Sequence, residues 1–322
     1  MFDLGDWEVS DVSAVGGWAR FDGLTIETDS IDYPGSDRVM PIVDEEQVLM
    51  CRMMLPSVPQ GSYVLDIGTG SGVLGLACAK HNRCRVVGID VSARAIEFAG
   101  RNALNNGITV IREGQPVPEG GIQLIQISAR SYACLADVQG QFDVVLLNPP
   151  FNPTCPGLEV ATHAASGEDG QRCFRDHLEA ALALRSDAGM VIGYQMSYDR
   201  KPAAVAAVDE IAGRWPCRVE YLNCLQDAPS YPVAEFLRQQ YSSLLRPSSS
   251  GKGLGLNEDV VEDYIVRLGG SGQVFSLIYY EARGLTGSAQ PGRHVQLVRG
   301  LPQRTWADRI WLHRRIVQTA TE

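Results

Sequence analysis

Three stretches of this sequence carry side chains and spacings suited to chemistry. Val64-Leu65-Asp66-Ile67-Gly68-Thr69-Gly70-Ser71-Gly72 is an apolar run that ends in an acid and passes into alternating glycines. Val87-Gly88-Ile89-Asp90 is a second apolar run ending in an acid. Phe142–Leu147 is a third, followed at once by Asn148-Pro149-Pro150-Phe151. Glycines let the backbone take positive φ and let a ligand approach it closely. The helical pattern that begins at Val73 adds free N–H groups beside them. Such a strand, turn and helix start cradle a nucleotide-like ligand.

Two details narrow that ligand. Val73 stands where a dinucleotide fingerprint wants its third glycine, and Asp66 lies two positions before the first glycine. A carboxylate would repel a pyrophosphate but attract a cation. S-adenosylmethionine has no phosphate and carries an ammonium and a sulfonium. Asp90 is placed to accept hydrogen bonds from both ribose hydroxyls.

These residues need a scaffold that brings strand ends together. Strands are expected over 63–68, 85–90, 122–128, 142–147, 189–194, 218–222 and 273–282, alternating with helices over 72–82, 92–105, 172–186 and 201–214. The alternation predicts an α/β fold with a doubly wound, mostly parallel seven-stranded sheet, Rossmann-like. Ligands of such sheets bind beyond the carboxyl ends of the strands, where Asp66, Asp90 and Asn148 all fall. The Pro/Gly-rich stretch 108–121 reads as a hairpin or loop.

Residues 1–60 are expected to form a strand and helix segment that covers the site. Phe21–Thr28 suggests a strand or hairpin. Asp44-Glu45-Glu46-Gln47 starts a helix running to Leu55, with Asp44 as N-cap in a capping box. Its acids either complement the helix dipole or close over the ligand. The core spans 61–225 and 273–322, and 226–272 is an insertion that breaks the rhythm. Around Ser248-Ser249-Ser250-Gly251-Lys252-Gly253 it reads as a substrate lid with a flexible centre. A last helix is expected near 304–318.

Composition excludes several classes. With 322 residues, 45% hydrophobic and 20% charged, the chain can bury a sizeable core. A net charge of −10 argues against an extended nucleic-acid groove. Eight scattered cysteines without a Cys-x-x-Cys pair predict reduced thiols, no metal site and a cytoplasmic protein. The opening Met-Phe-Asp-Leu-Gly-Asp does not read as a signal peptide, and no apolar stretch is long enough to span a membrane.

On these residues the sequence resembles the class I S-adenosylmethionine-dependent methyltransferases. Val64–Gly72 matches their first motif and Val87–Asp90 their second. Asn148-Pro149-Pro150-Phe151 is similar to the Asn/Asp-Pro-Pro-Tyr/Phe motif of the amino-methylating branch. Val39-Met40-Pro41 with its acidic helix, and Gly167-Glu168-Asp169-Gly170 leading into Phe174-Arg175, resemble the HemK/PrmC-like small-domain group. Ile127-Ser128-Ala129 stands where the family usually carries an acid.

The resemblance implies S-adenosyl-L-methionine as cofactor. Asp66, Gly68, Thr69, Gly70, Gly72, Asp90, Val91, Ser128 and Asn148 would hold it. It implies that the Asn148 side-chain carbonyl and the Pro149 backbone carbonyl accept the N–H groups of a nitrogen nucleophile. Phe151, Asn152, Glu168 and Asp169 fall on the substrate side. The expected acceptor is an amide, amine or guanidine nitrogen of a small amino-acid-like molecule such as arginine, or a protein glutamine side chain. Adenine methylation on RNA is the alternative with the same chemistry. A nicotinamide-dependent dehydrogenase and a non-catalytic cofactor-binding protein are the alternatives from other classes.

Overall fold

A computed structural model describes residues 17–30, 33, 35–42, 44–128, 141–155, 165–197, 203–223, 258–269, 276–285 and 297–298. Strands β1 (Trp18–Phe21) and β2 (Leu24–Glu27) form an antiparallel hairpin around Asp22-Gly23. A wide turn with π-helical bonding over Asp44–Val48 leads into α1 (Leu49–Met54). The helix onset at Asp44 matches the reading of the sequence, but its first turn is wider than an α-helical capping box.

The core then runs β3 (Tyr63–Ile67), α2 (Val73–His81), β4 (Arg85–Asp90), α3 (Ala93–Asn105), β5 (Thr109–Ile111), β6 (Gly121–Gln126) and β7 (Phe142–Leu147). It continues with α4 (Arg172–Leu184), β8 (Arg185–Ser197), α5 (Ala203–Ala212), β9 (Cys217–Asn223), α6 (Glu258–Gly269), β10 (Ser276–Gly284) and β11 (Leu297–Val298). The sheet order is β11-β9-β10-β8-β7-β3-β4-β6-β5, nine strands among the described residues against the expected seven. The inner seven, from β9 to β6, are the expected ones, and a short strand is added at each edge. One of these, β5, lies within the stretch read as hairpin or loop and pairs parallel to β6. Only three residues long, it is too short to show a strand pattern in the sequence. All pairings from β5 to β8 are parallel, and β10 runs antiparallel to both β8 and β9.

Strand side chains alternate between two apolar layers. Val64, Val86, Val144 and Ile192 pack with α1, α2 and α6, whereas Leu65, Val87, Val145 and Val191 pack with α4 and α5. Helix α2 is buried from Val73 to Ala79, because it lies between the sheet and α1. In α6, Val261, Tyr264 and Ile265 follow helical spacing and are buried in the layer of α1 and α2. The rest of the proposed insertion 226–272 and the helix expected near 304–318 lie outside the described residues.

The hairpin is bound to α3 by amides that imitate a neighbouring strand. Fully buried Asn102 accepts from Glu27 N at 2.7 Å and donates to Glu27 O at 2.9 Å. Asn106 treats Thr25 in the same way, at 2.9 and 2.7 Å. Asn102 also donates to Ser71 O at 2.8 Å, which ties the amino-terminal segment to the glycine loop. Among the described residues no helix is long and apolar enough to cross a membrane.

Candidate active site

The site lies at the topological switch point. From β3 the chain connects to β4 on one side, while β7 pairs with β3 on the other. Ile67 stands opposite Leu147, so Gly68 and Asn148 leave neighbouring strand ends together.

The glycine loop is held from below. Gly68, Gly70 and Gly72 take φ of 73°, 55° and 84°. The N–H groups of Gly68 and Thr69 donate to Ile89 O at 2.9 and 3.0 Å. Asp90 joins two elements: Oδ2 accepts from Gly70 N at 3.0 Å and Oδ1 from Ser92 N at 2.9 Å. Ser92 in turn caps α3 by accepting from Ala95 N.

Asp66, only 1% exposed, lies beneath the loop. Its Oδ2 accepts from the Thr69 hydroxyl at 2.7 Å and from Gly75 N at 3.1 Å. A Cβ at Gly75 would lie 3.1 Å from that oxygen and 2.9 Å from Val86, so Gly75 leaves room for the carboxylate. Burial pushes the Asp66 carboxyl up to about 6 against the pull of these hydrogen bonds, and the nearby Asp90 adds to the rise. Burial likewise raises Asp90, opposed by the N–H groups of Ser92, Gly70 and Val91. A phosphate would worsen this crowding of negative charge, whereas a cationic ligand relieves it. The residues present therefore fit a cationic, phosphate-free ligand. Beside Asp90, Val91 is 51% exposed, and Ser128 sits half-buried just past β6.

The Asn-Pro-Pro-Phe loop is built differently. Half-buried Asn148 donates from Nδ2 to Glu46 Oε1 at 2.9 Å, and the same Oε1 accepts from Gln47 Nε2 at 2.9 Å. Asn148 Oδ1 is buried and has no hydrogen-bond partner among the described residues. A carboxylate only accepts, so Nδ2 must face Glu46 and Oδ1 must face away. Leaving such a carbonyl without a donor costs about 1–3 kcal/mol. Pro149 is buried next to it. Phe151 packs partly buried against the layer of α1, α2 and α6.

A second loop backs the first. Thr154 N donates to Gly167 O at 2.7 Å, and Ser166 N donates to Asn152 O at 3.1 Å. A Cβ at Gly170 would come within 2.5 Å of Phe151 O, so the two backbones touch there. Glu168 and Asp169 are exposed on this second loop. Asp169 Oδ1 accepts from Gln171 N at the start of α4, and Glu168 O accepts from the Tyr264 hydroxyl of α6 at 2.7 Å.

The structure thus gathers Asp66, the glycines, Asp90 and Asn148 at the ends of the adjoining strands β3, β4 and β7 and puts Asn152, Glu168 and Asp169 in the loop that follows Asn148 and the second loop that backs it. Glu46 and Gly75 were not singled out from the sequence, and Gln47 only as the capping-box partner of Asp44. The acids at 44–46 signalled Glu46 only through the second of their two readings, that they close over the ligand.

The family model described as "Methyltransferase small domain" matches residues 43–164. Residues 43–164 are thus similar to methyltransferase small domains. The matched stretch takes in Glu46, the glycine loop, Asp90 and Asn148, whereas Glu168 and Asp169 lie past its end. A Methanocaldococcus jannaschii protein named for protein N5-glutamine methylation is 32% identical over 136 residues, 42% of this chain and 59% of that protein. The release factor glutamine methyltransferase of Streptococcus pneumoniae is 28% identical over 192 residues, 56% of this chain and 60% of the relative. The ribosomal RNA small subunit methyltransferase C of Salmonella newport is 31% identical over 188 residues, 56% of this chain and 46% of the relative. The chain therefore spans about 60% or less of the length of these relatives.

Proposed function

We propose that this chain is an S-adenosylmethionine-dependent N-methyltransferase whose acceptor is a planar nitrogen, foremost the side-chain amide of a protein glutamine. One observation carries the reading: Asn148 presents a buried carbonyl oxygen with no donor among the described residues, while its amide nitrogen is held by Glu46. Names of relatives that act on glutamine support it.

The glycine loop and Asp90 would hold the cofactor's ribose and amino-acid portions, and the exposed Val91 would face its purine. Asp66 would shape the loop from below and add negative potential toward a bound ammonium. When bound, the cofactor supplies a methyl group on a sulfonium, open to in-line attack.

An amide nitrogen is a poor nucleophile because its lone pair is delocalised into the carbonyl. Asn148 Oδ1 and the Pro149 carbonyl would accept its two N–H groups and turn the lone pair toward the methyl. Both oxygens then stabilise the positive charge that develops on nitrogen. Flanking prolines stiffen the direction of the Pro149 carbonyl.

The relative named for ribosomal RNA keeps RNA in view as a partner, and adenine methylation is the second reading because adenine's amino group offers the same two N–H donors. The net charge of −10 opposes that reading. The test is incubation with methyl-labelled S-adenosylmethionine and, separately, a glutamine-containing peptide, a release factor, free arginine and RNA. Mass spectrometry then locates the label. Label on a glutamine amide is the expected result. Label on RNA alone selects the second reading, and label on none of these with intact cofactor binding defeats both.

A further inference from the structure

We infer that Glu46 is a positioning residue for methyl transfer: it fixes the orientation of the Asn148 amide and strengthens its carbonyl as an acceptor. This rests on the reading that Asn148 Oδ1 receives the acceptor's N–H.

Three observations carry it. Glu46 belongs to an element 102 residues away in sequence, so only the tertiary fold brings it to Asn148. It sits in the wide turn Asp44–Val48, a local departure from α-helical geometry of a kind often found at functional sites. Its Oε1 accepts from both Gln47 and Asn148, which leaves the carboxylate little freedom to turn.

The consequence is electronic as well as geometric. An amide in water can present either end to a substrate. With Nδ2 bound to a carboxylate, the flipped amide would set oxygen against oxygen, so that state is excluded. A charged acceptor on Nδ2–H also draws the amide toward its polar resonance form, which adds negative charge to Oδ1. The acceptor's N–H groups then meet a carbonyl that is both aimed and polarised. Gln47, 6% exposed, braces the carboxylate from the side.

The test is a double-mutant cycle with two readouts. Glu46→Gln is nearly isosteric and guards against misfolding, and Glu46→Ala removes the contact. With a glutamine-containing peptide as acceptor, Glu46→Ala is expected to lower kcat about 10- to 100-fold with KM for the peptide changed less than threefold. Glu46→Gln is expected to lower kcat about 3- to 10-fold, because geometry is kept and the charge is lost. In the Asn148→Ala background both changes are expected to have less than about a twofold effect. Glu46→Ala and Glu46→Gln are each expected to change cofactor affinity, measured by calorimetry, by less than about twofold.

The second readout does not depend on turnover. In nitrogen-15 NMR spectra, the Asn148 side-chain amide is assigned by its loss in Asn148→Ala. One of its protons is expected to be shifted downfield and slow to exchange, and Glu46→Ala is expected to abolish both features. Equal kcat losses from Glu46→Ala with and without Asn148 would overturn the inference, as would an amide signal indifferent to residue 46. Failure of the wild type to methylate the peptide would instead defeat the glutamine reading, and the NMR result would still decide the contact.

Discussion

The glycine loop after β3 and the Asn-Pro-Pro-Phe loop after β7 leave neighbouring strands, yet their polar groups are satisfied in different ways. Around the glycine loop, the Asp66 and Asp90 oxygens named above and the N–H groups of Gly68, Thr69 and Gly70 are all bonded within residues 66–92. The Asn148 loop draws its partner from residue 46 and keeps a buried oxygen without one among the described residues. The first is a finished cradle, and its electrostatic tension is an excess of negative charge. The second is an unfinished one, and its tension is a missing donor. On the proposed function these are the two halves of one reaction: a cation relieves the first, and an N–H group completes the second.

If that division is right, the loops can be broken separately. Asn148→Ala removes an acceptor made for the transition state and should show the largest effect. We expect kcat to fall about 10²- to 10³-fold on the acceptor found by labelling, while cofactor affinity changes less than about threefold. A parallel loss of cofactor affinity would show that the two loops act as one.

Asp66→Asn acts on the other half, and its sign is unusual. The Asp66 carboxyl has a reference value of 3.8 and is raised to about 6 in the fold. Between those values the folded state binds more protons than the unfolded one, so stability without ligand falls as pH rises from about 4 to about 6. The full cost of ionising this group is about 3 kcal/mol above that window. Asp66→Asn is therefore expected to raise stability at pH 7 and to flatten its pH dependence between 4 and 6, seen by denaturant unfolding at several pH values. Asp90 has the same sign, so some slope should remain. Cofactor affinity is expected to weaken in the variant. In the wild type it should strengthen as pH rises through about 6, because a cation favours the ionised carboxylates.

Gly72→Ala tests whether the loop's shape matters apart from its charge. The position has φ of 84°, and a Cβ would lie 3.1 Å from that of Ala99 and 3.2 Å from Leu76. Strain and crowding together should cost about 2 kcal/mol of stability and loosen cofactor binding. Calorimetric unfolding and binding measure both, with kcat at saturating cofactor expected to change least.

The same contrast decides how much was legible in the sequence. The glycine loop is local: its acid, glycines and helix start lie within one strand–turn–helix unit, and residues 64–72 announced it. The inner seven strands were legible for a similar reason, since each is an apolar run bounded by turn residues. The Asn148 motif was legible in type but not in partnership. Nothing in residues 148–151 points to Glu46, because that contact exists only once α1 packs on the sheet. Gly75 was read as one more helical residue, and its need to be glycine appears only when Asp66 is placed beneath it. Glu168 and Asp169 were singled out as substrate acids. Asp169 accepts the Gln171 N–H, and Glu168 is held through its backbone carbonyl, details that charge alone could not foretell.

The smallest effect concerns what backs the unfinished loop. Tyr264 of α6 is 3% exposed and donates its hydroxyl to Glu168 O at 2.7 Å. Glu168 follows Gly167, whose carbonyl receives Thr154 N, so α6 reaches the Asn148 loop through two hydrogen bonds in series. Tyr264→Phe keeps the ring in the core and removes only the first of them. The expected loss is about 1 kcal/mol, or about 2–4 °C in thermal unfolding. If α6 helps to aim the acceptor loop, KM for the acceptor should rise about two- to fivefold while cofactor affinity stays unchanged. If the bond only braces the fold, stability falls and both constants hold. That outcome would confine the acceptor side of the site to Glu46, Asn148 and their immediate neighbours.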